Sequence, residues 1–307
     1  MNIIEASNIF KTFNNGFQAV KGIDFSVETG TCFGILGPNG AGKTTLMKVI
    51  YGRLNRDSLP RNSSLTVFGT DPLNDPRIIK SNTGIVPQDS NLDADLTVIE
   101  NLLVYSKFFN MSAKEANTRI EELLLFFELN EKKLNRASEL SGGMIRRLLI
   151  ARAMIQSPKL IIMDEPTVGL DPQVRQLIWK KIRQLKENGI TILLTTHYMD
   201  EAYQICDTII IMDKGKKILE GNPKKLMKEH MEKYVIEVEY LHENISLNKI
   251  DPIRIEREEN AARCFSNNFN DLKSISLTLQ EEQYLIRPTN LEDLFIKLTG
   301  SKLNEYQ

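Results

Sequence analysis

The chain opens with "MNIIEASNIFKTFNNGFQAVKGIDFSVETG", in which short apolar stretches alternate with Asn-Asn-Gly and Glu-Thr-Gly. The pattern predicts antiparallel strands joined by turns. "CFGILG" follows, a short apolar strand running into a glycine-rich loop, and then "KTTLMKVIYG", helical in pattern. Near the middle, "SAKEANTRIEELLLFFELN" sets Ile120, Leu123, Leu124 and Phe127 at i, i+3, i+4 and i+7, the spacing of an amphipathic helix. "KLIIMDEP" and "ITILLTTH" read as buried strands, each preceded by a helical segment. Such alternation predicts an α/β fold with a mainly parallel sheet and crossover helices. After about residue 225 the character changes. "KYVIEVEYL" reads as a strand, and "NNFNDLKSISLTLQEEQYLIRPTNLEDLFIKLTG" as a short α+β unit ending in a helix. In that helix Leu291, Leu294, Phe295 and Leu298 form a stripe suited to packing.

The 307 residues allow one large domain, or a large and a small one. With 41% hydrophobic and 26% charged residues the composition is that of a soluble globular protein. A net charge of -1 supplies no field for nucleic acid or an acidic membrane surface. No apolar run approaches the roughly 18 residues needed to cross a bilayer, so any membrane role is expected through a partner. Cys32, Cys206 and Cys264 are far apart in sequence and lack metal-ligand spacing, and no secretory signal opens the chain, so a reducing compartment is expected. His197, His230 and His242 are too scattered to suggest a metal cluster.

Chemistry concentrates in a few loops. "GPNGAGKTT", Gly37 to Thr45, matches G-x-x-x-x-G-K-[ST] between a predicted strand and a predicted helix. Gly37, Gly40 and Gly42 let backbone N–H groups curl around phosphate oxygens without Cβ interference. The helix N-terminus adds favourable partial charge. Lys43 can reach the β- and γ-phosphates, and Thr44 can ligate Mg²⁺.

A nucleotide site of this kind needs a carboxylate near Mg²⁺ and a group to activate water. "LIIMDEP" offers both at one strand end: Asp164 to hold Mg²⁺ through water, and Glu165 as general base. His197 closes another buried strand, placed to contact the γ-phosphate or to hold the water. Gln88, in "IVPQDS", says little by itself. Ser141 precedes Gly142 and Gly143 and the stripe Met144, Leu148, Ala151 and Ile155, which makes it an N-cap. Two glycines in that first turn leave outward N–H groups at the positive end of a dipole, a second anion site.

Taken together, these motifs resemble the nucleotide-binding subunits of ABC transporters, over essentially all of residues 1 to 225. "GPNGAGKTT" is similar to their Walker A, from Gly37, Pro38, Asn39, Gly40, Ala41 and Gly42 to Lys43, Thr44 and Thr45. "LIIMDEP" is similar to Walker B and "LSGGM" to the signature motif. Asp171, in "TVGLD", resembles the D-loop aspartate, Gln88 the Q-loop glutamine and His197 the H-loop histidine. Phe13 falls where the family stacks an aromatic ring on adenine. Met144 replaces the usual signature glutamine and Phe13 the commoner tyrosine, and neither change removes the chemistry. "LSGGM-x-RR", "EPTVGLDP", "TTHYMDEA" and the terminal "NLEDLFIKLTG" look like the drug-resistance and nodulation-factor exporter subgroup.

The resemblance implies an ABC-type P-loop NTPase: a RecA-like core, an antiparallel β subdomain, an inserted helical subdomain at about 89–157 and a small C-terminal α+β unit. Residues 1–225 would form the nucleotide-binding domain and 226–307 an accessory domain. It implies ATP and Mg²⁺, with Thr44, Gln88 and Asp164 around the metal and Lys43, Glu165 and His197 in catalysis. Ser141, Gly142 and Gly143 would serve nucleotide held by a partner cassette, in a homodimer or with a paired nucleotide-binding subunit. A separate integral-membrane permease would hold the pair at the cytoplasmic face, with no transmembrane segment in this chain, and the segment around Gln88 and "DLTVIENL" lies where such proteins meet it. A soluble ABC ATPase acting as a nucleotide-gated switch is the alternative. One cassette, no long heptad array and a neutral charge favour transport over a ribosomal or DNA-repair role.

Overall fold

Asn14, Asn15 and Gly16 turn the chain back after its first strand, with Gly16 at φ 81° and its N–H donating to Phe13 O at 2.9 Å. The computed structural model describes residues 1–58, 62–239, 254–257, 261–277, 279 and 284–300. It divides into two units, Met1–Gly221 and Asn222–Lys302.

In the first unit, strand Asn2–Thr12 pairs antiparallel with both Gln18–Glu28 and Ser64–Val67. A six-stranded sheet runs in the order Thr83–Val86, Leu160–Asp164, Thr191–Thr196, Cys32–Leu36, Thr208–Asp213, Lys216–Gly221. The first five are parallel and the last is antiparallel. Cys32–Leu36 and Thr191–Thr196 are buried along their whole length, as strands covered on both faces must be. One core holds the two sheets together, with Ile4, Ile23, Ile35, Leu46, Ile162 and Leu193 fully or almost fully buried. Each such side chain contributes about 1.5–3 kcal/mol.

Between Thr83–Val86 and Leu160–Asp164 the chain is helical: Val98–Lys107, Ala113–Phe126, two 3₁₀ turns and Gly142–Ala153. Capping boxes start the first two, Thr97 with Glu100 and Ser112 with Glu115. Ile120, Leu123, Leu124 and Phe127 are all buried, as their spacing predicts. The third helix stops at Ala153, so Ile155 is buried beyond its end instead of completing the predicted stripe.

In the second unit, Pro223–His230 is helical and four antiparallel strands follow the order Arg254–Arg257, Ala261–Ser266, Tyr234–Glu239, Tyr284–Pro288. The strands at 254–257 and 261–266 were not predicted by pattern. Helices Phe269–Ser276 and Leu291–Thr299 complete the α+β unit. Leu291, Leu294 and Phe295 are buried, but Leu298 is 37% exposed and lies off the packed face. Tyr240 and Leu241 of the predicted strand, Thr278 and 280–283 of the predicted α+β unit, and His242 lie outside the described residues.

Folding also unites two cysteines that the sequence separates. Cys32 Sγ and Cys206 Sγ lie 3.9 Å apart in the first unit, both buried as free thiols.

Candidate active site

The loop Gly37–Gly42 leaves strand Cys32–Leu36 and opens helix Lys43–Ile50, whose N-cap, Gly42, has φ 98° and no side-chain cap. Two of its glycines are required by contact. A Cβ on Gly37 would stand 2.2 Å from Met212 O, and one on Gly42 2.3 Å from Ala19 O. Gly40, at φ 79°, faces open space, so only its backbone conformation calls for glycine. Lys43 is buried beneath the loop and donates to Gly37 O at 2.8 Å and Pro38 O at 3.0 Å. Burial lowers its pKa, against the opposing pull of Glu165 and Asp164.

Strands Leu160–Asp164 and Thr191–Thr196 end beside that loop, as expected for a ligand crevice at the carboxyl edge of a parallel sheet. Thr44 Oγ1 donates to Asp164 Oδ1 at 3.1 Å, and Thr195 Oγ1 donates to the same oxygen at 2.5 Å. Glu165 is 7% exposed and is the meeting point of the cluster. Its Oε1 lies 3.5 Å from Lys43 Nζ and 3.2 Å from His197 Nδ1, and its Oε2 accepts from Gln88 Nε2 at 3.4 Å. Burial works to raise its pKa, but His197 and Lys43 outweigh this and hold the carboxyl below the ordinary glutamate range. The carboxylate is therefore ionised at neutral pH, the state a general base requires.

Glu165 also has φ 47°, in the left-handed region. For a non-glycine residue this costs on the order of 1–3 kcal/mol, and it persists only when surroundings enforce it. Glu165 N donates to Thr195 O and to Thr195 Oγ1, both at 3.1 Å. Thr195 thus grips both acidic residues. Thr195 matches no motif in the sequence, although "LLTTH" places two threonines in a buried strand.

Folding therefore brings together Lys43, Thr44, Gln88, Asp164, Glu165 and His197. Thr45 is half-buried in the first turn after the loop, while Asn39 and Gly40 are exposed on it, and Pro38 and Ala41 are buried. Phe13 sits at the tip following strand Asn2–Thr12 and is 37% exposed, and Lys11 Nζ lies 5.8 Å from its ring centroid.

A second cluster forms around the signature. Ser141 Oγ accepts from Met144 N at 3.4 Å, the predicted N-cap. Gly142 is exposed. Gly143 is buried, and a Cβ there would stand 2.5 Å from Val174 Cγ1. Val174 occupies the first turn of helix Pro172–Glu187, whose N-cap is Asp171, accepting from Val174 N at 3.0 Å. Asp171 thus fixes the residue that fills the space beside Gly143.

Comparison with known proteins decides the family. The ABC transporter family matches residues 20–168, and the C-terminal domain of nodulation factor export protein NodI matches residues 248–300. The Nod factor export ATP-binding protein I of Mesorhizobium japonicum is 41% identical over 304 residues, covering 98% of this chain and 88% of that protein. The chain belongs to the ABC transporter ATP-binding family. The protein of the same name from Rhizobium meliloti is 40% identical over 307 residues, covering 98% and 89%. Among solved structures, cbiO1 from Clostridium perfringens, part of an ABC transporter complex, superposes with TM-score 0.68 at 28% identity, covering 74% of this chain and 91% of that one. A dimeric cassette in a post-hydrolysis state, bound to ADP and Pi, gives TM-score 0.63 at 27% identity, covering 71% and 98%. The subunit is an ATP-binding and ATP-hydrolysing component of an exporter. Among its described residues no helix is long and apolar enough to cross a membrane, and as a transporter subunit it works in association with membrane components.

Proposed function

We propose that this subunit hydrolyses MgATP at composite sites formed head to tail with a second cassette, either another copy or a paired nucleotide-binding subunit, on a separate integral-membrane permease at the cytoplasmic face. The observation that carries the reading is the convergence of Lys43, Gln88 and His197 on the buried, ionised carboxylate of Glu165. Glu165 takes the proton of the attacking water. His197 stands beside it to hold that water or the γ-phosphate, and Lys43 neutralises phosphate charge. Phe13 offers its open ring face to adenine, while the main-chain N–H groups of residues 37 to 45 cradle the phosphates.

The residues around Asp164 suit Mg²⁺. Thr44 and Asp164 present hard oxygen donors already in contact, and Gln88, whose amide Nε2 donates to the neighbouring Glu165, would supply its amide oxygen as a further hard donor. Mg²⁺ bound there would offset charge on the β- and γ-phosphates.

Ser141, Gly142 and Gly143 would receive the γ-phosphate of the nucleotide held by the partner, so that ATP joins the two cassettes and hydrolysis releases them. Met1–Gly221 carries this chemistry, and the unit that begins at Asn222, four residues before the boundary expected from the sequence, is the accessory domain. The relatives are named for Nod factor export, which makes Nod factor the first cargo to test with a permease present.

The test is the solution mass of the Glu165→Gln protein with and without Mg-ATP. A shift from monomer to dimer is expected, abolished by Gly142→Asp, which puts a carboxylate in the signature where a Cβ meets only Leu170 Cδ2 at 3.7 Å. A mass that ignores ATP while ATP binding persists would overturn ATP-driven pairing.

A further inference from the structure

The signature helix carries two consecutive arginines, Arg146 and Arg147, and both are buried, as is Arg152 further along it. Arg147 pairs with the Glu128 carboxylate at 3.7 Å, whereas the hydrogen bonds of Arg146 among the described residues all go to main-chain carbonyls. Arg147 turns toward the helical segment and donates to Phe127 O at 2.8 Å and Glu128 O at 3.2 Å. Arg146 turns the other way, into the site.

Its guanidinium has five N–H donors in a fixed planar fork, and it meets five main-chain carbonyls. Nε donates to Pro166 O at 2.6 Å. Nη1 donates to Pro87 O at 2.6 Å and Gln88 O at 3.2 Å. Nη2 donates to Asp164 O at 2.9 Å and to Glu165 O. Burial pulls its pKa down to about 10, with Glu201, Asp164, Glu165 and Asp89 supporting the charge, so it remains a cation at neutral pH.

The five acceptors belong to two segments. Pro87 and Gln88 are the main chain of the loop carrying Gln88. Asp164, Glu165 and Pro166 are the main chain at the end of strand Leu160–Asp164, including the residue held at φ 47°. Thr195 restrains Glu165 from its N–H side, and Arg146 restrains it from its carbonyl side. Glu165 is thereby fixed at both ends of a backbone conformation it would not adopt freely.

We propose that Arg146 is a positioning residue for ATP hydrolysis: its guanidinium binds the Gln88 loop to the main chain of Asp164–Pro166 and so aims the Glu165 carboxylate. The inference rests on the reading of Glu165 as the base. It deepens that reading, because any displacement of the Gln88 loop pulls on the same cation that holds the base in place. The signature helix, the Gln88 loop and the catalytic strand end then share one rigid junction.

The experiment compares steady-state hydrolysis and ATP affinity in the full chain for Arg146→Lys, Arg146→Gln, Arg147→Lys, Glu165→Gln and the Arg146→Lys/Glu165→Gln double variant. Lysine keeps the charge but has only three donors and no planar fork. Arg146→Lys is expected to lower kcat by about 10- to 100-fold, the scale of a small misplacement of a reacting group, with KM and ATP affinity close to the parent's. Arg147→Lys is expected to keep the parent's kcat. Because Arg146 acts through Glu165, Arg146→Lys should lower the residual rate no further in the Glu165→Gln background.

Parent-like kcat in Arg146→Lys, equal losses in Arg146→Lys and Arg147→Lys, or multiplicative losses in the double variant would each overturn the proposal. Failure of both Arg146 variants to fold while Arg147→Lys folds would assign Arg146 to stability and overturn it as well. Failure of the base reading is separate: Glu165→Gln would then itself keep parental turnover.

Discussion

Lys43 Nζ and Glu165 Oε1 stand 3.5 Å apart although they leave different strands of the sheet, and both side chains are buried. Burial works to raise the carboxyl pKa, but His197 and this lysine hold it below the ordinary range, and the carboxylate in turn supports a cation that burial disfavours. Replacing Glu165 by Gln keeps the shape and removes the proton acceptor. Turnover is expected to fall by about 10²- to 10⁴-fold, with ATP binding retained. Single-turnover hydrolysis measured beside equilibrium ATP binding checks this, and near-parental hydrolysis would refute the role.

The two signature glycines should respond differently to alanine. At Gly143 the new Cβ would meet Val174 Cγ1 at 2.5 Å, and overpacking of this kind costs about 1–3 kcal/mol. Gly142→Ala has room and should gain helix propensity, up to about 1 kcal/mol. Urea denaturation reads both. Adding Val174→Ala to Gly143→Ala should recover stability, and an unrelieved loss in that double variant would show that the Val174 contact is not the cause.

Within the phosphate loop the ranking is Gly42 over Gly40. Gly42→Ala meets Ala19 O at 2.3 Å in addition to its strained φ of 98°, whereas Gly40→Ala has open space and bears only the backbone cost of about 1–2 kcal/mol. Gly42→Ala should lose more ATP affinity and more thermal stability. Equal behaviour of the two in calorimetry would contradict the packing argument.

The C-terminal unit should be acid-sensitive through Glu232. Burial works to raise its pKa, but Arg254, with Nε–Oε1 2.9 Å and Nη2–Oε2 3.1 Å, and Lys297 bring it down from 4.5 to about 2. A depressed carboxyl pKa contributes stability that is present above the unfolded value and is lost as pH falls toward the folded one. Glu232→Gln should therefore lower the melting temperature at pH 7, and the gap to the parent should close between pH 4.5 and about 2. Thermal unfolding across that range is the measurement. A gap that stays constant would remove the ion pair from the stability of this unit.

Much of the site was legible because its parts are local. Gly37–Thr45 encodes a loop in its own glycines, Asp164 and Glu165 follow a buried apolar run, and Ser141 caps the helix it precedes. Periodicity likewise located Ile120, Leu123, Leu124 and Phe127 on one face. These features depend on main-chain preference and on residues within a turn or two of each other, so the sequence by itself determines them.

Tertiary structure decided the rest. "CFGIL", "LIIMD" and "TILLTT" are alike as apolar strands, so nothing in their pattern dictates that Thr191–Thr196 lies between Leu160–Asp164 and Cys32–Leu36. Arg146 reads as one of two arginines on a helix, and only packing turns it toward Pro87, Gln88 and Asp164–Pro166 while Arg147 turns to Phe127. Val174 beside Gly143, Thr195 on Asp164, and Cys206 beside Cys32 are likewise products of long-range contact. Local chemistry supplies the groups, but their mutual distances depend on how one shared core packs sheets and helices drawn from distant parts of the chain.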